Sequence, residues 1–191
     1  LADPEWANKA QANIKDEIKP CIGCHIGCLG RLFQGKRMGC AINPECGSEI
    51  CYHYEKSNIQ KHIVIVGGGI AGMEAALDAT KKGYLATIYE ASDQLGGAFI
   101  SASSMSFKKE DKKLIQWYIN ECQKAGVQLV MNTKVTPELI DSLQFDELII
   151  ATGAKARQLS NIKGLEKVKV INAKDALLHP EIVGEKVTII G

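Results

Sequence analysis

The chain has 191 residues, of which 46% are apolar, enough for one packed core and a small extension. Its 23 basic and 22 acidic residues nearly balance, and the sequence has no stripe of Lys and Arg with interleaved aromatic residues. Nucleic acid is therefore not expected as a partner. No apolar run approaches the length of a membrane span, and the first residues do not resemble a secretion signal. We therefore expect a soluble, cytoplasmic protein with no membrane partner.

The N-terminal part of the chain divides into two segments of different character. Residues 1–20 mix charged residues with scattered apolar positions, which predicts one or two surface helices ending at Pro20. Residues 21–60 are rich in Cys and Gly and show little periodicity. Such a segment is typical of a path dictated by a metal site, and we treat it as an extension of the main fold.

The cysteine spacing of this second segment indicates a metal site. Four thiols suit an iron–sulfur cluster or a structural zinc, and their grouping of three followed by one favours a 4Fe-4S cluster. Zinc and a redox-active dithiol stay open as alternatives, and so does a fourth ligand from Cys46 or Cys51. Cys122 is expected in the core. The candidate ligands are Cys21, Cys24, Cys28 and Cys40.

From residue 61 onward the sequence predicts an α/β fold with a mainly parallel sheet covered on both faces. A β-branched run at 62–66 meets three glycines and then strong helix formers at 71–82, and a second strand follows at 85–90. Residues 107–125 place Leu114, Trp117, Tyr118 and Cys122 on one helical face. Further strands are predicted at 127–131 and 147–151.

The glycine turn after the first strand predicts a dinucleotide site. The pattern GxGxxG is weak alone, but here it joins a strand to a helix, where it approaches a pyrophosphate. Free N–H groups at the helix start favour the phosphates, and Glu90 at the end of the second strand can accept hydrogen bonds from a ribose. The residues concerned are Gly67, Gly69, Ile70, Ala71, Gly72 and Glu90.

Two later motifs favour FAD over NAD. The run from Glu90 to Gly97 resembles the acidic residue and Leu-Gly-Gly of FAD-binding folds of the glutathione-reductase type. The sequence Ala151-Thr152-Gly153 resembles a later motif of the same folds. The backbone of Val135 falls where such folds commonly hold the adenine.

The end of the chain repeats the pattern of its middle. Residues 186–191 resemble residues 62–67, a strand running into its first glycine. We therefore expect a second dinucleotide-binding fold that has been cut, and the first residue, which is not Met, fits a piece of a longer protein. The expected units are 1–20, the N-terminal helical segment; 21–60, the iron–sulfur segment; 61–185, an incomplete Rossmann-like FAD domain; and 186–191, the start of the second dinucleotide-binding fold.

Together the cysteine and glycine motifs resemble the family of 2,4-dienoyl-CoA reductase, 2-enoate reductase and trimethylamine dehydrogenase. The resemblance covers CIGCHIGCLGR, Cys40 with the following AINP, and KHIVIVGGGIAGMEAA. It implies an NAD(P)H-dependent flavin oxidoreductase in which FAD and a 4Fe-4S cluster pass electrons to FMN for reduction of an activated C=C bond of an enoate or enoyl-CoA. The resemblance also implies that residues 1–20 are the tail end of an FMN-binding barrel domain and that residues 186–191 begin an NAD(P)-binding domain. FMN, the nicotinamide cofactor and the substrate would be bound outside this chain, so the chain alone should be inactive.

Two other functions stay open on the sequence. One is an electron-input subunit like the small subunit of glutamate synthase, which also sets cysteines ahead of an FAD fold. The other is a non-enzymatic module in which the cysteines bind a structural zinc and the glycine turn binds a nucleotide. Iron and sulfide content distinguishes this zinc-containing module from an iron–sulfur protein.

Overall fold

The computed structural model describes residues 1–52, 55–157 and 162–190 of the chain. Its strands form one sheet in the order β3-β2-β1-β4, and every neighbouring pair is parallel. The strands are β1 (His62–Val66), β2 (Leu85–Tyr89), β3 (Gln128–Val130) and β4 (Glu147–Ile150). These bounds agree with the predicted strands to within a residue or two.

The helices lie before, between and after these strands. The α-helices of the described residues are α1 (Trp6–Gln11), α2 (Leu29–Leu32), α3 (Ile70–Lys81), α4 (Ala98–Ala102), α5 (Lys109–Lys124), α6 (Pro137–Ser142) and α7 (Ala173–Leu178). Short 3-10 helices occupy Lys15–Glu17, Glu49–Cys51, Leu165–Lys167 and Pro180–Ile182. No helix of these ranges combines the length and apolar content that a membrane crossing needs.

The main core lies between one face of the sheet and the helices α3 and α5. Ile63 and Ile65 of β1 stand beside Ala86 and Ile88 of β2, and all four are buried. Because successive strand residues point to opposite faces, these side chains share the face that packs against α3. The β-branched run of β1 thus supplies both the strand propensity and half of this apolar surface.

Helix α5 presents its predicted apolar face to this core. Leu114, Tyr118 and Cys122 are buried, and Trp117 packs against them at the margin. The Cys122 thiol donates to the carbonyl oxygen of Met73 at 3.8 Å, and burial raises the pKa of Cys122 to about 12. Cys122 is therefore an inert core residue, as its position on the helix predicts.

The opposite face of the sheet is more polar. The Nε2 atom of His62 lies 2.9 Å from the Thr87 hydroxyl, which donates to Gln128 at 3.2 Å. Ile150, on the same face at the end of β4, is 72% exposed. The prediction of a sheet covered on both faces is met on the α3 face. On the second face Val64 and Thr87 are buried, at 1% and 3% exposed, whereas Ile150 at the end of β4 is open to solvent.

The cysteine-rich segment packs directly against the main core. Ile42 is 8% exposed and belongs to the same apolar cluster as the sheet residues, with Ile22 and Cys40 against its edge. Outside that contact, the Lys81 ammonium on α3 pairs with Glu45 at 2.9 Å. The segment is irregular, as predicted, but its apolar residues join the core of the α/β fold.

The predicted strand at the end of the chain does not form in the described residues. Residues 187–190 pair with no strand there, and Val187 and Ile189 are 59% and 90% exposed. Without a neighbouring backbone to accept and donate, an apolar run cannot build a ladder. The terminal Gly191 of the predicted motif lies outside the described residues.

We predict that Gly72→Ala destabilises the fold. A Cβ at this position would overlap the carbonyl oxygen of Gly67 and lie 3.4 Å from Cγ2 of Ile65. Overpacking of this kind lowers the free energy of unfolding by about 1–3 kcal/mol, which urea denaturation measures. Gly184→Ala is the matched control, because a Cβ there meets no atom within 4 Å. Equal stability of the two variants would contradict the packing role of Gly72.

Candidate functional site

The predicted dinucleotide residues gather at one edge of the sheet, where all the parallel strands end. Gly67 follows β1, Glu90 follows β2, Ala151 follows β4, and the loop containing Val135 follows β3. In the order β3-β2-β1-β4 the chain reverses direction across the sheet between β1 and β4, which is where open α/β sheets bind ligands.

The first glycine turn leaves the strand in a conformation that favours glycine. Gly67 has φ of 111° and donates its N–H to the carbonyl of Tyr89 at 2.8 Å. A Cβ at Gly67 would overlap the carbonyl oxygen of Ala151, so the strand ends β1 and β4 meet only around a residue without a side chain. The turn is therefore fixed between β2 and β4.

Helix α3 begins at this edge without a side-chain cap. Gly69 is its N-cap, and the first intrahelical bond runs from Met73 N–H to the Gly69 carbonyl at 3.0 Å. The N–H groups of the first turn, at Ile70, Ala71 and Gly72, therefore have no partner within the helix. A Cβ built on Gly69 meets no atom within 4 Å, so the space beside this residue is open. The edge offers free donors, the positive end of a helix dipole and room for a phosphate.

The Leu-Gly-Gly turn packs onto the first glycine turn. Gly96 donates its N–H to the carbonyl of Gly68 at 2.8 Å, and Gly69 forms a parallel bridge with Gly96. A Cβ on Gly97 would lie 3.1 Å from the Cα of Gly69, closer than most real contacts. The two motifs that the sequence analysis paired are thus adjacent, and Gly97 stands next to the open space at Gly69.

Glu90 is held by hydrogen bonds at the end of β2. Its Oε2 accepts from the N–H of Gly68 at 2.7 Å, and its Oε1 accepts from the N–H and the hydroxyl of Ser92, both at 2.8 Å. Burial raises the pKa of Glu90, but these hydrogen bonds more than offset it, so its pKa lies below 4.5. The carboxylate is therefore ionised, oriented and tied to the glycine turn.

The loops after β3 and β4 complete the edge. Thr133 donates its N–H to the carbonyl of Glu90 at 2.8 Å, which holds the loop with half-buried Val135 beside the end of β2. Ala151 donates to the carbonyl of Val66 at 2.8 Å. Thr152 and Gly153, which follow, are exposed, and the φ of Gly153 is 71°. Thr152 lies next to the first glycine turn, since a Cβ on Gly67 would lie 3.2 Å from its Cα.

The four candidate cysteine ligands lie on two segments that touch. Gly39 donates its N–H to the carbonyl of Gly27 at 2.8 Å, and a Cβ on Gly27 would lie 3.0 Å from the Cα of Cys40. This contact brings the residues after each glycine, Cys28 and Cys40, to neighbouring positions. On the first loop, the N–H of Gly23 lies 3.5 Å from the sulfur of Cys21, the kind of N–H to sulfur contact that stabilises a thiolate.

The thiols are free, but their side chains are not gathered as a metal centre. Cys21 is exposed, and Cys24, Cys28 and Cys40 are half-buried. Among residues 1–52, 55–157 and 162–190, no three His, Cys, Asp or Glu side chains are arranged to hold a metal ion. The ligand set thus stays a prediction that rests on donor chemistry and on the placement of the two segments.

The two spare cysteines occupy different surroundings. Cys46 is buried, and burial followed by the charge of Cys40 raises the pKa of its thiol. Cys51 ends the 3-10 helix Glu49–Cys51 and is exposed. Cys46 therefore lies beside the candidate ligands, whereas Cys51 faces solvent. His25, in the ligand loop, is exposed and has φ of 55°.

Sequence reasoning missed three residues that shape these sites. Gly68 and Ser92 orient Glu90, and a Ser two residues after an acidic strand end is a signal for such a turn. Lys19, directly before the Pro-Cys of the ligand loop, is only 8% exposed. A lysine in a charged N-terminal stretch carries no sequence signal of burial, so only the packing identifies it.

We predict that Glu90→Gln lowers the free energy of unfolding by about 1–2 kcal/mol at pH 7, because the amide replaces an ionised acceptor. The folded pKa of Glu90 lies below its ordinary 4.5, so its stabilisation is present above that pH and is lost as pH falls through the folded value. The difference from the unmodified protein should therefore shrink on acidification, as followed by urea denaturation across pH. Glu166→Gln, at an exposed carboxylate, should show no such dependence.

Comparison with known proteins identifies the family to which the chain belongs. Residues 34–142 and 61–191 match the family model described as pyridine nucleotide-disulphide oxidoreductase. The cinnamate reductase of Clostridium sporogenes is 40% identical over 191 residues, covering all of this chain and 28% of that protein. The metal reductase of Desulforamulus reducens is 37% identical over 195 residues, covering all of this chain and 29% of that protein.

A solved structure agrees with the fold. The complex of 2-naphthoyl-CoA reductase with 2-naphthoyl-CoA superposes with a TM-score of 0.88 and 31% identity, over 94% of this chain and 27% of that one. The chain spans less than a third of the length of each of these relatives. The predicted Rossmann-like fold and the resemblance to 2-enoate reductases are confirmed. Because the family model covers residues 61–191, the chain belongs to the pyridine nucleotide-disulphide oxidoreductase family, with relatives of the 2-enoate reductase type.

Proposed function

We propose that this chain is the electron-transfer portion of an NAD(P)H-dependent iron–sulfur flavoprotein that reduces an activated C=C bond. FAD would bind at the glycine edge, by which we mean the sheet edge formed by residues 67–72, Glu90, Gly97, Val135 and residues 151–153. A 4Fe-4S cluster would bind at the cysteine loop, residues 21–40. The observation that carries the proposal is the open space at Gly69 in front of the uncapped start of α3. A pyrophosphate needs both the room and the free donors.

Each residue of the glycine edge has a distinct role in this proposal. Gly67 and Gly72 bring strand and helix together, and the N–H groups of Ile70 and Ala71 bind the pyrophosphate. Glu90 accepts from a ribose hydroxyl, for which its ionised and fixed carboxylate is suited. The backbone around Val135 holds the adenine, and Gly97 with residues 151–153 lines the path toward the flavin. The match of residues 61–191 to the pyridine nucleotide-disulphide oxidoreductase family supports this assignment.

The donor set of the cysteine loop fits a cluster. Cys21, Cys24, Cys28 and Cys40 are free thiols, and soft thiolates are the ligands that iron–sulfur clusters take. The contact between Gly27 and Gly39 supports this, because it joins the segments that carry the third and fourth ligands. The ligand loop also has backbone N–H groups, such as that of Gly23, available to sulfur.

The division of labour follows from the chemistry of the groups. When bound, FAD accepts a hydride, a two-electron step, whereas a cluster passes one electron at a time. This chain's own residues would bind, orient and shield those groups. FMN, the nicotinamide and the enoate or enoyl-CoA substrate would be held by parts of the protein outside this chain. The relatives named for cinnamate and 2-naphthoyl-CoA reduction support that substrate class.

The same proposal assigns the rest of the chain. Residues 1–20 are the end of an FMN-binding barrel domain, 21–60 the iron–sulfur segment, 61–185 the first part of the FAD domain, and 186–191 the start of an NAD(P)-binding domain. A cytoplasmic location is part of it, since all seven cysteines are free thiols, which suits a reducing compartment.

Metal analysis tests the cluster. Protein at its full natural length, purified without oxygen, should contain about four iron atoms and about four acid-labile sulfides for each cluster loop. Cys40→Ser should lose most of both, while the matched control Cys51→Ser, at an exposed cysteine outside the ligand set, should retain them. One zinc and no sulfide would refute the cluster and favour a structural metal site.

Flavin retention tests the glycine edge. Gly69→Ala should leave the unfolding free energy of the flavin-free protein within about 1 kcal/mol, because its φ of −72° suits alanine and its Cβ meets no atom. It should lower affinity for FAD at least about tenfold, since the methyl group fills the space for the pyrophosphate. Fluorescence titration with FAD measures the affinity of the flavin-free unmodified protein and of the flavin-free Gly69→Ala variant. An unchanged affinity would contradict this position for the phosphates.

A further inference from the structure

The hydroxyl of Ser92 lies between two hydrogen-bond acceptors. Its Oγ is 2.8 Å from Oε1 of Glu90 and 2.8 Å from the carbonyl oxygen of Gln94. A serine hydroxyl carries one hydrogen, and neither an ionised carboxylate nor a carbonyl oxygen can donate one. Ser92 can therefore donate to only one of these two oxygens at a time.

The backbone on either side holds this hydroxyl in place. The N–H of Ser92 donates to Oε1 of Glu90 at 2.8 Å, and the carbonyl of Ser92 accepts from the N–H of Asn132 at 3.0 Å. The backbone of Glu90 is fixed as well, because its N–H donates to the carbonyl of Val130 at 2.9 Å and its carbonyl accepts from Thr133 at 2.8 Å. Rotation about the C–O bond of Ser92 is thus enough to move the proton from one acceptor to the other.

The two carboxylate oxygens of Glu90 are unequally occupied. Each oxygen of a carboxylate accepts about two hydrogen bonds. Within the part of the chain that the structure describes, Oε1 accepts two, from the N–H and the hydroxyl of Ser92, whereas Oε2 accepts one, from the N–H of Gly68 at 2.7 Å. Oε2 can thus accept one further donor beside the glycine turn. Oε1 can do so only when the Ser92 hydroxyl turns to Gln94.

We propose that Ser92 competes with the adenosine ribose of the dinucleotide for one oxygen of Glu90, so that the two hydroxyls of that ribose are bound with unequal strength. This inference rests on the proposed function, in which Glu90 accepts from the ribose. One ribose hydroxyl donates to Oε2 and displaces no protein group. The other must displace the Ser92 hydroxyl from a charge-assisted hydrogen bond, which is about twice as strong as the neutral bond that Ser92 then makes with Gln94. Ser92 thus determines specificity through Glu90.

The test uses three forms of FAD and the protein at its full natural length, freed of flavin. One form is FAD itself, and the other two lack either the 2′- or the 3′-hydroxyl of the adenosine ribose. Fluorescence titration gives the dissociation constants, and the ratio of each deoxy form to FAD measures how strongly the missing hydroxyl is bound. In the unmodified protein we expect one ratio of at least about tenfold and the other below about threefold.

Ser92→Ala should raise the smaller ratio at least about threefold and leave the larger ratio unchanged, because the hydroxyl that competes for Oε1 is gone. If Ser92 merely held Glu90 in place, its removal would instead lower both ratios. The proposal is overturned by equal ratios in the unmodified protein, and by a Ser92→Ala variant that leaves the smaller ratio unchanged, lowers both ratios or no longer binds FAD.

Ser142→Ala is the matched control. Ser142 is exposed, as Ser92 is, and its hydroxyl donates to a backbone carbonyl, that of Leu139, at 2.7 Å. It belongs to α6 and not to the glycine edge. Both ratios should therefore match those of the unmodified protein.

Glu90→Ala separates the two levels of inference. Unmodified protein that does not bind FAD refutes the proposed function itself. If the unmodified protein binds FAD but Glu90→Ala leaves unequal ratios unchanged, Glu90 does not bind the ribose, and the inference fails with that role. If Glu90→Ala brings both ratios close to one while Ser92→Ala has no effect, only the role of Ser92 is refuted.

Discussion

The contact between Gly72 and the carbonyl of Gly67 is the constraint on which the glycine edge depends. Because neither residue has a side chain in the way, helix α3 starts directly against the end of β1. This places uncapped N–H groups at the sheet edge and leaves the space beside Gly69 open. The second turn then packs on the first through Gly96, and Glu90 fastens the first turn through Gly68. One steric requirement thus fixes together the free N–H groups at the start of α3, the Glu90 carboxylate and the open space beside Gly69.

Buried charge joins the remaining part of the molecule to this fold. Asp3 is 8% exposed and accepts from Lys9 at 2.9 Å and from the Lys19 backbone, so the N-terminal segment is organised around one carboxylate. Lys19 then carries a charge into the space between α3 and α5. A buried ion pair contributes little net stability, because desolvation offsets most of the attraction, but it specifies one arrangement. The chain places this pair, formed by Lys19 and Glu74, directly before the cysteine-rich segment, which is thereby held in a defined position against α3 and α5.

Much of the fold could be predicted from the sequence, and so could the meeting of the glycine turn with Glu90 at one edge of the sheet, because both follow from local patterns. The strand of β1, the glycine turn and the acidic end of β2 each have a spacing that only one structure satisfies well. For the cysteine loop, the sequence predicted the chemical type of the candidate ligands but not the course of the backbone, since residues 21–52 show no periodicity. The burial of Lys19 depends on Trp117 and Glu74, which are distant in sequence, and no local pattern reports it. The strand expected at 186–191 does not form over the described residues 186–190, because a strand needs a partner to pair with and not only an apolar run.

The position of Ile42 shows that a change in composition is not a boundary in packing. Composition changes near residue 61, yet Ile42 lies in the same apolar cluster as Ile63 and Ile65. A recombination event between the cysteine segment and the strand would therefore cut through a shared interior and leave a hole on one side and an exposed apolar surface on the other. The cysteine-rich segment and the α/β segment are therefore constrained to be inherited, exchanged and engineered as one piece.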